Sequence, residues 1–459
     1  MKPEPRKQIL TLAAMATLLT ASESSASRDS FPQNFKWCVA TAAHQIEGNN
    51  VDSNWWEFEN TPGKIKDGRP SGIATDHWNR LEEDTALMAG LNVNQYRFSV
   101  EWAKIEPRPG VWNAEAIAHY RRELELLATN KIEPLITLQH FTIPKWVSDR
   151  GGFEWDGFPD AFAAFSARVF EEIGHGVRDW ITLNEPQTIL AAGFIEGIHP
   201  PEKKILNQIH RPARLMVIAH ARAYHRLHEI AKKRGQEIRV GMAHHLRIFS
   251  PASAWNPLDR WAASLLNDLG NWAIPDAMTT GKFKVYIPFT LHHEEMIPEA
   301  KNTQDFIGVN YYSRDLIRFN PAIPGFLQRL VKKGAPVSDL NWEIYPKGLY
   351  KLLKMVNSRY GAKPILITEN GLADHQDTMR SQFIVDHLRW LKRAMDEGIQ
   401  VENYCHWSLM DNYEWQEGFE PRFGLYEVDY STLERKLRPS GRLFSEIART
   451  NRIPASISK

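Results

Sequence analysis

The sequence predicts a single α/β domain, a (β/α)8 TIM barrel with elaborated strand-to-helix loops. Three observations carry that expectation. Short apolar runs recur eight times, most of them are separated by segments with helical periodicity, and the runs end in polar or aromatic residues. A run that is apolar on both faces reads as a strand inside a parallel sheet, and parallel neighbours require crossover helices.

In order, Phe35 to Ala43 reads as the first strand and runs into His44-Gln45-Ile46-Glu47-Gly48. Asp76 to Ala89 has helical spacing. The remaining strands are Val93 to Phe98, Pro134 to Leu138, Trp180 to Leu183, Arg239 to Ala243, Phe306 to Val309, Ile365 to Thr368 and Val401 to Cys405. Helical segments between them include Ala114 to Thr129, Phe158 to Gly174, Pro212 to Arg234 and Met379 to Gly398. Leu246 to His293, rich in Trp and Pro, is expected to be an elaborate strand-to-helix loop. With no internal repeat or low-complexity linker, one domain over residues 29–455 is expected.

Residues 1–28 differ from the rest. Lys2, Arg6 and Lys7 precede the apolar run Ile9 to Leu19, and a small, polar stretch follows. This predicts a signal peptide over residues 1–26, with export to a periplasmic or extracellular location. The run is too short for a permanent span, and no cysteine follows it for lipidation, so release is expected, with no membrane span in the mature chain.

The 459 residues carry a formal net charge of +1 with well-mixed signs, which gives no reason to expect a nucleic-acid partner. A homo-oligomer is compatible with this composition. The 16 Trp residues exceed what packing alone calls for and suit the apolar faces of sugar rings. The two cysteines, Cys38 and Cys405, exclude a disulfide-rich scaffold and a four-cysteine zinc site. Both fall in predicted strands, so buried free thiols are expected. Those strands are the first and eighth, neighbours in a closed barrel, which leaves a bridge open.

The chemistry centres on Ile365-Leu366-Ile367-Thr368-Glu369-Asn370-Gly371 and Ile181-Thr182-Leu183-Asn184-Glu185-Pro186. Each is a strand ending in a glutamate, and the C-terminal strand ends are where barrels of this kind carry catalytic groups. Two carboxyls are the minimum equipment for splitting a glycosidic bond: one ionised to attack, the other protonated to release the leaving oxygen. Arg97 and Tyr312 are expected beside Glu369, favouring its anion, whereas Glu185 shows no equally obvious cation. Gln45, Arg97, His140, Asn184 with Glu185, Asn310-Tyr311-Tyr312, Glu369 and Trp407 occupy seven of the eight strand ends. Singly, each is explained by core packing; jointly they are not. A metal site on His244-His245 or His292-His293 is disfavoured, because adjacent residues on a strand face opposite ways and no carboxylate completes the set. No metal and no cofactor is expected, since side chains supply both nucleophile and proton.

These motifs, with Phe35-Lys36-Trp37, Gln45-Ile46-Glu47-Gly48, Tyr96-Arg97-Phe98-Ser99 and Trp407 through Trp415, resemble those of glycoside hydrolase family 1 from about Phe31 to Ile447. The resemblance implies a retaining β-glycosidase, with Glu185 as acid/base and Glu369 as nucleophile. Its substrate would be a β-linked glycoside or short oligosaccharide. Gln45, His140, Asn184, Asn310, Glu414, Trp407 and Trp415 would hold the non-reducing sugar. Trp342 would stand beside the leaving group, where the family usually has Gly in place of Asn341. Intact Glu414-Trp415, with acidic neighbours, disfavours 6-phosphorylated sugars. The presence of Glu185 disfavours the myrosinase-like branch. A closing segment closer to archaeal-type β-glycosidases implies β-glucosyl specificity with some β-galactosyl or β-fucosyl activity. The rival reading is a catalytically silent sugar-binding module on the same fold, disfavoured because both glutamates are present.

Overall fold

The structure, a computed structural model, describes residues 29–323 and 327–456. The predicted signal peptide lies outside the described residues. Eight parallel strands close into a barrel: β1 Lys36–Ala40, β2 Gln95–Ser99, β3 Glu133–Gln139, β4 Asp179–Asn184, β5 Arg239–His245, β6 Ile307–Asn310, β7 Ile365–Asn370 and β8 Val401–Trp407. Each pairs with its sequence neighbours, and β1 closes on β8. All eight coincide with the predicted runs. Their interiors are buried because strand and helix layers cover both faces.

The helices that cover the barrel include Leu81–Gly90, Ala114–Thr129, Phe158–Ile173, His210–Arg234, Pro346–Tyr360, Arg380–Asp396 and Pro439–Thr450. Three differences from the sequence expectation have local causes. The helix expected from Asp76 starts at Leu81, after a single 3-10 turn, His77–Asn79, that turns His77 inward. The first strand stops at Ala40, and Ala43–Ile46 forms one helical turn that buries His44 and Gln45. The long loop after β5 is more regular than expected. It holds a helix at Pro257–Asn267, a π-helical turn at Asp268–Trp272, a helix at Ala273–Thr280 and an antiparallel pair, Lys282–Ile287 with Leu291–Met296. Its first strand, Ile248–Pro251, joins Arg314–Phe319 and Leu327–Leu330 in a small sheet outside the barrel.

Cys38 and Cys405 are joined by a disulfide rather than being free thiols. The reason is register. Cys38 lies directly opposite Cys405 across the β1–β8 pair, with Cα atoms 4.1 Å apart. Strand order made a bridge conceivable, but only register brings the two sulphurs together. The pair packs inside the barrel with Ala40, Leu135, Ile181 and Leu366.

Candidate active site

The C-terminal ends of the strands open into one cavity of about 750 Å3. Glu185 and Glu369 both line it, and the backbone treats each specially. Glu185 follows β4 in a left-handed conformation, φ 46° and ψ 56°, unusual for a non-glycine residue, and Pro186 then opens a helical turn. Its N–H donates to the carbonyl of Ala243 on β5 at 2.8 Å, which pins the strained residue to the rim. Glu369 sits where β7 loses register with both neighbours, and this irregularity re-aims its side chain. The glycine that follows is needed for space: a Cβ on Gly371 would lie 1.9 Å from the carbonyl oxygen of Trp407. Gly371, directly after β7, thus permits a close approach of β8.

The Glu369 carboxylate is held on both oxygens. Arg97, fully buried on β2, donates to Oε1 at 2.5 Å, and the Tyr312 hydroxyl donates to Oε2 at 2.5 Å. Arg97 also reaches the Asn184 side-chain oxygen at 2.6 Å and the Thr368 carbonyl at 2.9 Å. Asn310 bridges the two halves, donating to Glu185 Oε1 at 2.8 Å and to the Asn184 oxygen at 3.1 Å. Thr188 donates to Glu185 Oε2 at 2.8 Å.

Sequence reasoning missed His245. Its Nδ1 stands 3.3 Å from Glu185 Oε2, which gives Glu185 the ionisable partner that the sequence did not show. The signal was present. The end of β5 is the one strand end with no site residue expected from sequence, where His244-His245 stands only as a disfavoured metal pair. The two rings do point apart, as adjacent strand residues must: His244 Nε2 pairs with Gln304 at 2.8 Å, away from Glu185. Thr188, one turn after Glu185, carried no motif signal.

The charges of the site are set by burial and neighbours. Burial pushes the Glu185 carboxyl up, but the charge of His245 and hydrogen bonds from His245, Asn310 and Thr188 outweigh it, leaving its pKa at about 2. Burial raises Glu369 to about 7, with the Glu185 charge adding to it and Arg97 and Tyr312 opposing. Burial, then the charges of Glu369, Glu417 and Glu185, raise Glu414 to about 8. Burial, reinforced by Arg97, keeps the His140 imidazole neutral, so its Nε2 accepts from the Asn184 amide at 3.0 Å. Burial and neighbours therefore favour the anion at Glu185 over the anion at Glu369.

The other predicted residues fall into two groups. His140, Asn184, Tyr312, Trp342, Trp407, Glu414 and Trp415 line the cavity. The ring of His140 stacks at 5.8 Å from Trp407 and 6.0 Å from Trp415. Trp342 meets Tyr312 edge-on at 5.6 Å. Asn341, which departs from the expected Gly, has φ 58°, a left-handed conformation that Asn adopts more readily than most residues. Arg97, Asn310 and Gln45 do not line the cavity. Arg97 and Asn310 position the carboxylates from behind, and the Gln45 amide donates to Asn412 at 3.0 Å and to the Tyr413 carbonyl at 2.7 Å. His140 Nδ1 and Gln45 Oε1 are buried without a partner. Groups of three or more His, Cys, Asp or Glu side chains placed to hold a metal ion are absent among the described residues.

A closed parallel barrel with paired carboxylates, a buried arginine and indoles at its C-terminal mouth defines a hydrolase site of the sugar-processing class. Comparison with known proteins places the chain more narrowly. The glycosyl hydrolase family 1 model matches residues 27–453, and the chain belongs to that family. Beta-glucosidase A of Thermotoga maritima is 33% identical over 92% of this chain and 98% of its own length. Beta-glucosidase A of Acetivibrio thermocellus is 34% identical over 93% and 99%. The solved beta-glycosidase from Pyrococcus horikoshii superposes with a TM-score of 0.84 at 37% identity, covering 93% of this chain and 96% of that one.

Proposed function

We propose that this protein is a retaining β-glucosidase that removes terminal non-reducing β-D-glucosyl units from oligosaccharides or glycosides, with some activity on β-galactosyl and β-fucosyl units. The observation that carries this reading is the pair of glutamates facing one cavity, Glu369 gripped on both oxygens by Arg97 and Tyr312 and Glu185 held by Asn310 at the end of β4. A carboxylate fixed on both oxygens is oriented for attack on an anomeric carbon. The first step forms the Glu369–glycosyl ester while Glu185 gives its proton to the leaving oxygen. In the second, Glu185 takes a proton from water, which opens the ester. The strong stabilisation of the Glu185 anion suits that second step, when Glu369 no longer carries charge. His140 Nδ1, unpartnered and buried on a residue that lines the cavity, is a polar atom that a sugar hydroxyl would satisfy.

Export is part of the proposal. The basic, apolar and small-residue succession at the N-terminus supports it, as does the Cys38–Cys405 bridge, since disulfides persist in oxidising compartments. N-terminal sequencing of the secreted protein should start near Ser27. An intact N-terminus on active protein in the cell interior would refute export.

The test of the reaction is a panel of p-nitrophenyl β-glycosides with the α-glucoside as control. Turnover of the β-glucoside is expected to vanish in Glu369→Gly and to return in part with azide, giving the inverted α-glucosyl azide. Azide rescue at Glu185→Gly with that same stereochemistry, and none at Glu369→Gly, would exchange the two roles.

A further inference from the structure

We infer that the outer half of the catalytic cavity is a channel for an extended aliphatic aglycone, so that alkyl β-glycosides are better substrates than β-linked oligosaccharides. The inference rests on the glycosidase reading and deepens it. If Glu185 protonates the leaving oxygen, the leaving group must lie on the Glu185 side of the cavity. The elements that extend from that side form one apolar wall. Leu190 and Ile195 come from the π-helical turn Ile189–Glu196 that follows Glu185, and Phe249 from the strand after β5. Leu269 comes from the π-helical turn of the insert, and Phe283 and Ile287 from the inward face of Lys282–Ile287. All six border the same cavity as the two glutamates. Ile195 is 39% exposed although it is a large aliphatic residue, so the wall stands uncovered beside the reacting centre.

The charged groups on this side are paired with one another. Among the described side chains around Glu185, only Gln187 Oε1 and His245 Nε2 are buried polar atoms without a hydrogen bond or ion pair, too few for the hydroxyls of a second sugar. Arg247 and Arg329 flank Asp315 at 3.2 and 3.4 Å, Arg329 also faces Glu196 at 3.6 Å, and the Gln187 amide donates to His244 at 3.2 Å. A second sugar would bring several hydroxyls needing partners, and burying them unpaired is costly. A hydrocarbon chain needs only apolar wall. The inner, sugar-binding end has the opposite character, with His140, Asn184 and Glu414 presenting polar atoms between Trp407 and Trp415. The insert after β5 supplies much of the outer wall, which assigns it a specificity role.

The test compares kcat/KM for n-butyl β-D-glucoside, n-octyl β-D-glucoside and cellobiose below micelle-forming concentrations, with p-nitrophenyl β-D-glucoside as reference. Calorimetric binding of the non-hydrolysable S-butyl and S-octyl thioglucosides runs alongside. The octyl compound is expected to exceed the butyl by roughly tenfold or more, given about a three- to four-fold gain per buried methylene at full burial. It should also exceed cellobiose. Ile195→Asp should collapse the octyl-to-butyl ratio towards unity, while Ile195→Leu keeps it. A flat alkyl series with preference for cellobiose would overturn the channel and leave the glycosidase reading standing. Absence of turnover on every glycoside would overturn the glycosidase reading. Tighter binding of S-octyl than S-butyl would then still support the apolar channel, and equal binding would overturn it.

Discussion

Two of the clusters of buried charge in this protein differ in balance. In the first, His77 lies 2.7 Å from Asp84 and 3.5 Å from Glu123, while Arg435 donates to both Asp84 oxygens at 2.9 and 3.2 Å. Two cations meet two anions. Burial lowers the His77 pKa, but its two carboxylate partners more than compensate and carry it to about 10. Burial likewise works against the Asp84 anion, yet His77 and Arg435 hold it below the usual range. In the second cluster, three carboxyls, Glu185, Glu369 and Glu414, line a cavity together with His245, and Arg97 backs Glu369 from behind that lining. There the carboxyl pKa values are driven apart, to about 2, 7 and 8. The lesson is that burial of charge does not mark a reactive site. A charge imbalance facing a cavity does, because it leaves protons that can move.

The comparison makes opposite predictions for removing a charge. Arg435→Met leaves the buried Asp84 and Glu123 carboxylates with His77 alone of their two cations and should cost about 3–5 kcal/mol of stability. Urea unfolding would read this, and the folded fraction should keep its kcat on p-nitrophenyl β-glucoside. A loss below about 1 kcal/mol, the scale of an exposed pair, would show that the cluster is not a structural pin.

Glu414→Gln should do the reverse. The carboxyl binds its proton more tightly folded than unfolded, so the folded state is penalised as pH rises from about 4.5 to about 8 and fully penalised above that. The glutamine variant escapes this penalty. It should match the wild type near pH 4.5 and be more stable at pH 8, by about 4 kcal/mol at most, while losing glucoside turnover. Melting temperatures at the two pH values decide it, and a variant less stable at pH 8 would contradict the imbalance.

How far these clusters were legible differs for physical reasons. The eight strands and the helices from Ala114 and Phe158 follow from apolar periodicity, which burial imposes locally. Arg97, Glu369 and Tyr312 were legible because strand ends of a barrel converge. What stayed hidden depends on register or on contacts between distant loops. The Cys38–Cys405 bond needs one strand slid correctly against another. The insert after β5 reads only as a Trp- and Pro-rich loop until its π-turn and hairpin are seen to wall the cavity. Gln45 was expected at the sugar, but the helical turn Ala43–Ile46 places it behind the lining, against Asn412 and Tyr413.

His245 allows the smallest and most discriminating test. Between about pH 2 and 7 the Glu185–Glu369 pair holds one proton, and only its placement on Glu185 is productive in the proposed first step. Above about pH 7 that proton is lost, so kcat/KM should fall on the alkaline side. The His245 charge draws the empty-site equilibrium towards ionised Glu185. His245→Asn removes the charge and retains a hydrogen-bonding side chain near Thr188. Without the cation, ionising the pair is harder, so the alkaline limb should move up by about one pH unit, the low end of what a close opposite charge imposes. The amide cannot restore charge, so Asn and Gln variants should shift alike if electrostatics is the cause. A limb that stays in place while kcat falls would make His245 a packing residue. A limb that moves down would reverse the sign of its influence on Glu185.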